Sequence, residues 1–303
     1  MAWKPTQIGD LTGRTAIVTG ANSGIGRVEA HVLAEHGAHV ILAIRNVEAG
    51  RAVAATITGS TQVEHLDLAS LASVRAFAAG VVDRGPLDLL VNNAGVMYPP
   101  KWRPTADGFE LQFGTNHLGH FALTGLLLPA LLAAPEPRVT TVASLAHRYG
   151  DERVLEGNPA EGYDPRTSYG QSKLANLLFA LELHRRATAS GSRLTSTAAH
   201  PGVTVTNLFT SQDGMGVHWA VRTFAPALMR VALPAPEGGA ESILYAATTA
   251  APGSYSGPQG PGEVRGGVGP AKLSRIAVDA DLARRLWARS EELTGVTFDM
   301  STP

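Results

Sequence analysis

Short runs of β-branched and other apolar residues alternate along this chain with stretches in which apolar positions recur every three or four residues. "TAIVTG" closes the first run, and from Ile25 to His36 the spacing turns helical; "HVILAIR" follows, then helical spacing from Val47 to Ile57. The alternation continues through "VEHLD", a helix over Leu71 to Val82, "LDLLVNNAG", a long helix from about Asp107 to Leu132, "RVTTVAS", the helix that opens around Tyr169, and "LTSTAAHPG". Near-continuous apolar strands separated by helices predict an α/β protein with a doubly wound parallel sheet covered on both faces. The expected organisation is a single domain over 1–303, with one half at about 12–145 and a second at about 146–303. In such sheets ligands lie beyond the carboxyl ends of the strands, so those ends are read first.

Composition changes this picture in a few places. With 44% hydrophobic residues in 303, a substantial core is within reach. From Pro252 to Pro270, 11 of 19 residues are Gly or Pro, which predicts an irregular loop before a last helix near Asp279 to Leu293. The formal net charge is −1, from 25 basic and 26 acidic residues, and no basic run stands out, which excludes the footprint of a nucleic-acid binder and favours a small-molecule partner. The absence of cysteine excludes disulfides, thiolate metal sites and a cysteine nucleophile. "MAWKPTQIGDLTGR" holds no signal-peptide core, and "ALTGLLLPALLAA" is too short to span a bilayer and contains Pro129. The expectation is a cytoplasmic protein without a stable membrane anchor.

The strand ends carry the candidate chemistry. After the first strand stands "TGANSGIG", where Gly20, Gly24 and Gly26 let the backbone turn tightly and approach a pyrophosphate held by free N–H groups and the positive end of the helix dipole. The second strand ends at Arg45 with no carboxylate beside it, which points to NADP(H) rather than NAD(H), since a guanidinium pairs with the 2′-phosphate that a carboxylate would repel. A solvated strand-end arginine is the plainer alternative. Ser23 offers a hydroxyl to the same phosphate. Asp67, after the third strand, either accepts a hydrogen bond from adenine or forms a turn. In "SYGQSKLAN", Tyr169 and Lys173 stand four apart and share a helix face.

Taken together, "TGANSGIG", Asp67 and Leu68, "NNAG" at Asn92 to Gly95, Asn116, Ser144, the Tyr169 and Lys173 pair, and "PGVTVT" at Pro201 to Thr206 resemble the short-chain dehydrogenase/reductase family, in order from residue 19 to 206. "ILAIRN", "SLAHRYG", "SKLANLLFALEL" and "RRLWARSEELTG" are similar to its retinol dehydrogenase and protochlorophyllide reductase-like subgroup. The resemblance implies a Rossmann fold and an oxidoreductase in which Asn116, Ser144, Tyr169 and Lys173 carry the chemistry. It implies that Gly20, Asn22, Ser23, Gly24, Ile25 and Gly26 hold the cofactor with Arg45, Asp67 and Leu68. Asn93, Ala94, Gly95, Tyr169, Lys173, Pro201, Gly202, Val203 and Thr206 complete that set. A nearby ammonium and the positive nicotinamide ring are expected to lower the Tyr169 pKa, making the phenol a proton donor and acceptor, while Ser144 polarises the substrate oxygen. Asn116 would support a kink and a proton-relaying water. The interval from Ser144 to Tyr169 exceeds the usual one in the wider family and implies an added loop. A homo-oligomer through the helices bearing Asn116 and Tyr169 is a further possibility.

Taken singly, Ser144 also reads as a helix cap, Asn116 as a polar core residue and Thr206 as a strand-end hydroxyl. Ser144 with His147 suggests a hydrolase, but the chain has no G-x-S-x-G elbow. His117 and His120 suggest a metal site, yet no third ligand falls at a familiar spacing, so no metal is expected. A sensor that binds NADP(H) without turnover is the remaining alternative. After Thr206, Val221, Phe224, Leu228 and Val231 recur at helical spacing, apart from Arg222 and Arg230. That face either packs on the core or, with Met215 and Trp219, lines a lipophilic pocket for an aldehyde, ketone or alcohol.

Overall fold

The computed structural model describes residues 3–203 and 236–300, and strands alternate with helices through them. The strands are β1 (Thr15–Thr19), β2 (His39–Ile44), β3 (Thr61–His65), β4 (Leu89–Asn92), β5 (Arg138–Val142), β6 (Thr195–Ala199), β7 (Tyr255–Pro258) and β8 (Val268–Pro270). They lie side by side in the order β3-β2-β1-β4-β5-β6-β7-β8, all parallel except β8, which runs antiparallel to β7. The helices are α1 (Gly24–Glu35), α2 (Val47–Ala54), α3 (Leu71–Val82), α4 (Leu111–Phe113), α5 (Gly119–Leu126), α6 (Leu128–Ala133), α7 (Pro165–Ala189), α8 (Pro236–Thr248) and α9 (Ala280–Thr294). Strand order reverses beside β1, whose neighbours are β2 and β4, so the crevice beyond those strands is where this architecture takes a ligand.

Successive strand side chains point to opposite faces. Ile17 and Ile41 enter a core with Phe77, Phe121 and Phe179 from α3, α5 and α7. Ala16, Val18, Val40 and Leu42 enter the core on the other face, with Leu33 of α1 and Ile243 of α8. Both faces are covered, which is why the strands read as apolar throughout. Each fully buried aliphatic side chain here contributes about 1.5–3 kcal/mol.

Two expectations are corrected. The long helix over Asp107 to Leu132 is broken: α4 begins only at Leu111, where the Glu110 carboxylate accepts the Phe113 N–H at 2.8 Å. A π turn at Gly114–Leu118 then widens the helix, and Pro129, with no N–H to donate, starts α6 as a separate segment. Every residue of the π turn is buried, so the apolar pattern carries no mark of it. The Gly- and Pro-rich stretch is not all loop, because it folds into the β7–β8 hairpin; the His200 ring occupies the place where Gly257 would carry a side chain. The interval after Ser144 holds two 3-10 turns, Leu145–Tyr149 and Glu152–Glu156.

The helices bearing Asn116 and Tyr169, expected as an oligomer contact, pack largely against the rest of the chain. Every residue of α7 from Ser168 to Leu183 is buried, as is every residue from Gly114 to Gly125. The chain's own α9 covers them: Trp287 stacks on Phe179 at 5.7 Å and meets Phe121 edge-on at 5.2 Å, while Phe298 lies 4.9 Å from Phe121. Among the described residues, no helix is long and apolar enough to cross a membrane.

Candidate active site

The glycine loop leaves β1 and turns directly into α1. Gly26 could be no other residue, because a Cβ there would strike the Asn93 amide and lie 2.9 Å from the Gly20 carbonyl. Asn93 in turn donates from Nδ2 to the Thr19 carbonyl at 2.8 Å. The Thr19 hydroxyl accepts the N–H groups of Asn93 and Ala94, both at 2.9 Å, and lies 2.9 Å from His120 Nε2. His120 Nδ1 donates to the Asn116 carbonyl at 2.9 Å, so Nε2 is the acceptor and Thr19 the donor between them. Thr19 thus ties the loop after β1 to the loop after β4. Ser23 precedes α1 without capping it, which leaves its hydroxyl for the crevice.

At the other side of the crevice, α7 presents Tyr169 and Lys173. Lys173 Nζ donates to the Val142 carbonyl at 3.0 Å and sits 5.8 Å from the Tyr169 ring centroid. Burial lowers its pKa to about 8. From the chain's own groups the Tyr169 pKa is raised: burial dominates, a hydrogen bond from the Ser144 side chain draws it partly back, and the ammonium is turned toward Val142. The phenol therefore stays protonated. Tyr98 packs edge-on against it with centroids 5.1 Å apart, in a left-handed backbone at φ 56. Ser144 also caps its own 3-10 turn, accepting the Ala146 N–H at 3.2 Å. Asn116, in the π turn, accepts the Val96 N–H at 2.8 Å and donates to the Val96 carbonyl at 3.0 Å and to Ser172 Oγ at 2.9 Å. It braces the loop after β4 against α7.

These groups surround one cleft of about 570 Å³. Every expected cofactor or catalytic residue within the described span lines it except Asn116, which lies behind the wall, while Thr206 and the stripe after it fall outside the described residues. Arg45 is exposed at the end of β2. Asp67 lines the cleft but also forms the turn of the alternative reading, its Oδ1 accepting the Ala69 N–H at 3.0 Å. Asn46, Met97, Tyr98, Thr115, Leu145 and Tyr149 line it too and were not anticipated. Met97 and Tyr98 follow "NNAG" so closely that position alone could have found them. The hydrolase arrangement is not formed: His147 Nδ1 bonds the Ser144 carbonyl at 2.7 Å, not its hydroxyl. His117 Nε2 is taken by Ser290 Oγ at 2.8 Å, and among the described residues no group of three acidic or histidine side chains could hold a metal.

A sequence model for short chain dehydrogenase matches residues 14–215. Retinol dehydrogenase 13 of Homo sapiens is 41% identical over 293 residues, which cover 94% of this chain and 86% of that protein. Polyprenol dehydrogenase of Mus musculus is 42% identical over 309 residues, covering 97% of this chain and 87% of that one. The crystal structure of an uncharacterized protein from Mycobacterium paratuberculosis has a TM-score of 0.83 at 44% identity, over 99% of this chain and 100% of the other. The Pseudomonas aeruginosa RhlG/NADP active-site complex has a TM-score of 0.63 at 27% identity, over 81% and 94%. With these relatives matching nearly end to end, and the family pattern running through both sides of the cleft, the chain belongs to the short-chain dehydrogenase family and is a retinol dehydrogenase-like oxidoreductase of it.

Proposed function

We propose that this protein is an NADP(H)-dependent oxidoreductase that interconverts a lipophilic aldehyde or ketone and its alcohol, with Tyr169 as general acid and base. The observation that carries this reading is the meeting of the Tyr169 phenol, the Ser144 side chain and Lys173 in the one cleft that the glycine loop also lines. The residues present suit the cofactor. Gly26 leaves room that a Cβ would fill, the Ser23 hydroxyl caps nothing, and the residue that follows β2 is the basic Arg45, not an acidic one. Residues 20–26 would hold the pyrophosphate, Arg45 and Ser23 the 2′-phosphate, and Asp67 and Leu68 the adenine. Residues 93–95 and 201–203, with Thr206, would hold the nicotinamide side, and Lys173 the ribose.

Bound NADP(H) supplies the hydride in reduction and takes it up in oxidation. In reduction the Tyr169 O–H, kept protonated by burial, gives its proton to the substrate oxygen. The Ser144 hydroxyl donates to the same oxygen and stabilises the charge that grows on it. In oxidation the phenolate form of Tyr169 takes the alcohol proton, and the Ser144 hydrogen bond favours that form. Asn116 acts through the Val96 backbone and is a positioning residue. Met97, Tyr98 and Ala146 pack around the phenol, which supports an apolar substrate, as do the relatives named for retinol and polyprenol.

The test follows NADPH and NADH oxidation with a long-chain aldehyde, a polycyclic ketone and a small sugar aldehyde. The wild type should prefer NADPH and the apolar carbonyls, and Arg45→Asp should lose that cofactor preference. Tyr169→Phe should lose about 100-fold or more in kcat with cofactor affinity retained. Normal turnover by Tyr169→Phe would refute the mechanism, equal affinity for the two cofactors the NADP(H) assignment, and preference for the sugar the substrate class.

A further inference from the structure

Ser144 and the Pro201–Val203 turn enter the cleft from different strands, β5 and β6, and a third element holds them together. His200, fully buried at the end of β6, accepts the Gly202 N–H on Nδ1 at 3.1 Å, so its proton sits on Nε2. That nitrogen has no hydrogen-bond partner among the described residues and packs 3.8 Å from Oε2 of Glu263, so the link on this side is a close polar contact. The same Oε2 takes the Arg148 guanidinium at 2.6 Å, and Oε1 accepts the Lys272 N–H at 2.8 Å. Arg148 belongs to the 3-10 turn that begins after Ser144. Its neighbour His147 donates to the Ser144 carbonyl and accepts the Ser274 N–H at 3.3 Å, a second tie to the segment after β8. On the other side, Val203 N–H donates to the Val264 carbonyl at 3.1 Å. Gly202, at φ 73, lies so close to that carbonyl that a Cβ would strike it. The connection between β7 and β8 therefore touches both turns.

Glu263 sits in this connection with a left-handed backbone, φ 58, directly after Gly262 at φ 67. Glycine adopts that conformation without strain and glutamate does not. The chain keeps a long acidic side chain there, 7% exposed, with both oxygens engaged. Backbone strain held in place by its surroundings is characteristic of positions where the side chain is needed.

We propose that Glu263 is a positioning residue whose carboxylate clamps the Ser144 turn to the Pro201–Val203 turn. The clamp sets the distance between the hydroxyl that holds the substrate oxygen and the turn that takes the nicotinamide end of the cofactor. This assignment of the two turns rests on the function proposed above; the clamp itself rests on the contacts.

The test compares Glu263→Gly, Glu263→Gln, Arg148→Met, Arg148→Lys and the double variant Arg148→Met/Glu263→Gln in the full chain. The measurements are NADPH dissociation constant, kcat and KM for the best carbonyl, Tm, and hydrogen exchange over residues 144–149 and 201–203. Losing a charge-assisted hydrogen bond should cost roughly 10-fold in kcat and raise the NADPH dissociation constant. In Glu263→Gly the relieved backbone should keep the change in Tm small while kinetics suffer in full. The double variant should be no worse than either single one, because both remove the same pair, and Arg148→Lys should recover part of the loss. Arg148 is partly exposed, so Arg148→Met keeps the fold readable. Unchanged kinetics and exchange in that variant, or losses that add in the double variant, would overturn the clamp. If the wild type binds NADPH but reduces no carbonyl, the proposed function fails while affinity and exchange still decide the clamp.

Discussion

Glu29 lies on α1 one turn beyond Gly26, on the face shared with Ala30 and Leu33, and it is 1% exposed with neither carboxyl oxygen bonded to another described residue. Burial raises its pKa from 4.5 to about 8, so it is a neutral acid at pH 7. The unfolded chain releases this proton above pH 4.5 and the folded chain keeps it until about pH 8. Its contribution to stability therefore falls as pH rises through that window, to a deficit of about 3 kcal/mol at pH 7. Glu29→Gln removes the linkage and should raise Tm more at pH 8 than at pH 5, as thermal melts at the two values would read. Equal gains would mean that the carboxyl is not held neutral. The side-chain type suggests a surface residue; only the spacing Gly26, Glu29, Ala30, Leu33 places it inside. The same split runs through the site. Gly26, Arg45, Ser144, Tyr169 and Lys173 were legible as residues lining the cleft because each stands at a strand end or on a helix turn fixed by local pattern. Thr19, His120 and Glu263 act through partners distant in sequence, and a single sequence carries no sign of those.

Among elements, α3 was legible to the residue, because Ser70 caps it by accepting the Ser73 N–H at 3.3 Å and an apolar face runs to Val81. The break at Gly114–Leu118 and the β7–β8 hairpin were not, since a π turn inside buried helix leaves the pattern unchanged and glycine and proline conceal a strand whose partner is tertiary. The last helix was foreseen, but its role was not. Trp287 sits in the aromatic cluster over α5 and α7, under the Arg186 guanidinium at 4.3 Å. Trp287→Ala should cost about 3–5 kcal/mol and expose an apolar face that associates with itself. Denaturant midpoints and sedimentation velocity would check this; a variant that remains as stable and as dispersed as the wild type would show that α9 is dispensable as a cover.

Across the whole molecule, buried histidines set the response to acid. Burial lowers the pKa of His117 to about 3 and of His120 and His200 to about 4. The unfolded chain binds these protons below pH 6.5 and the folded chain does not, so stability is intact above 6.5 and is lost as pH falls toward 4. Glu29 opposes them with one group, which leaves a net loss of about 3 kcal/mol per pH unit. Against a typical total of about 5–15 kcal/mol this is a large fraction, so Tm should fall steeply between pH 6 and 4. Circular dichroism over a pH titration would read it, and a Tm independent of pH from 7 to 5 would contradict it. The cover over α5 and α7 has another consequence, in time. Trp287, Val296 and Met300 complete a core whose other members include Phe121 and Phe179. At roughly 5–20 residues per second, a ribosome takes on the order of 10–30 s to proceed from the first of those rings to the tryptophan that shields it. For that interval the nascent chain carries an open aromatic wall, a natural target for chaperones, and its core can be sealed only after residues 287–300 have been synthesised.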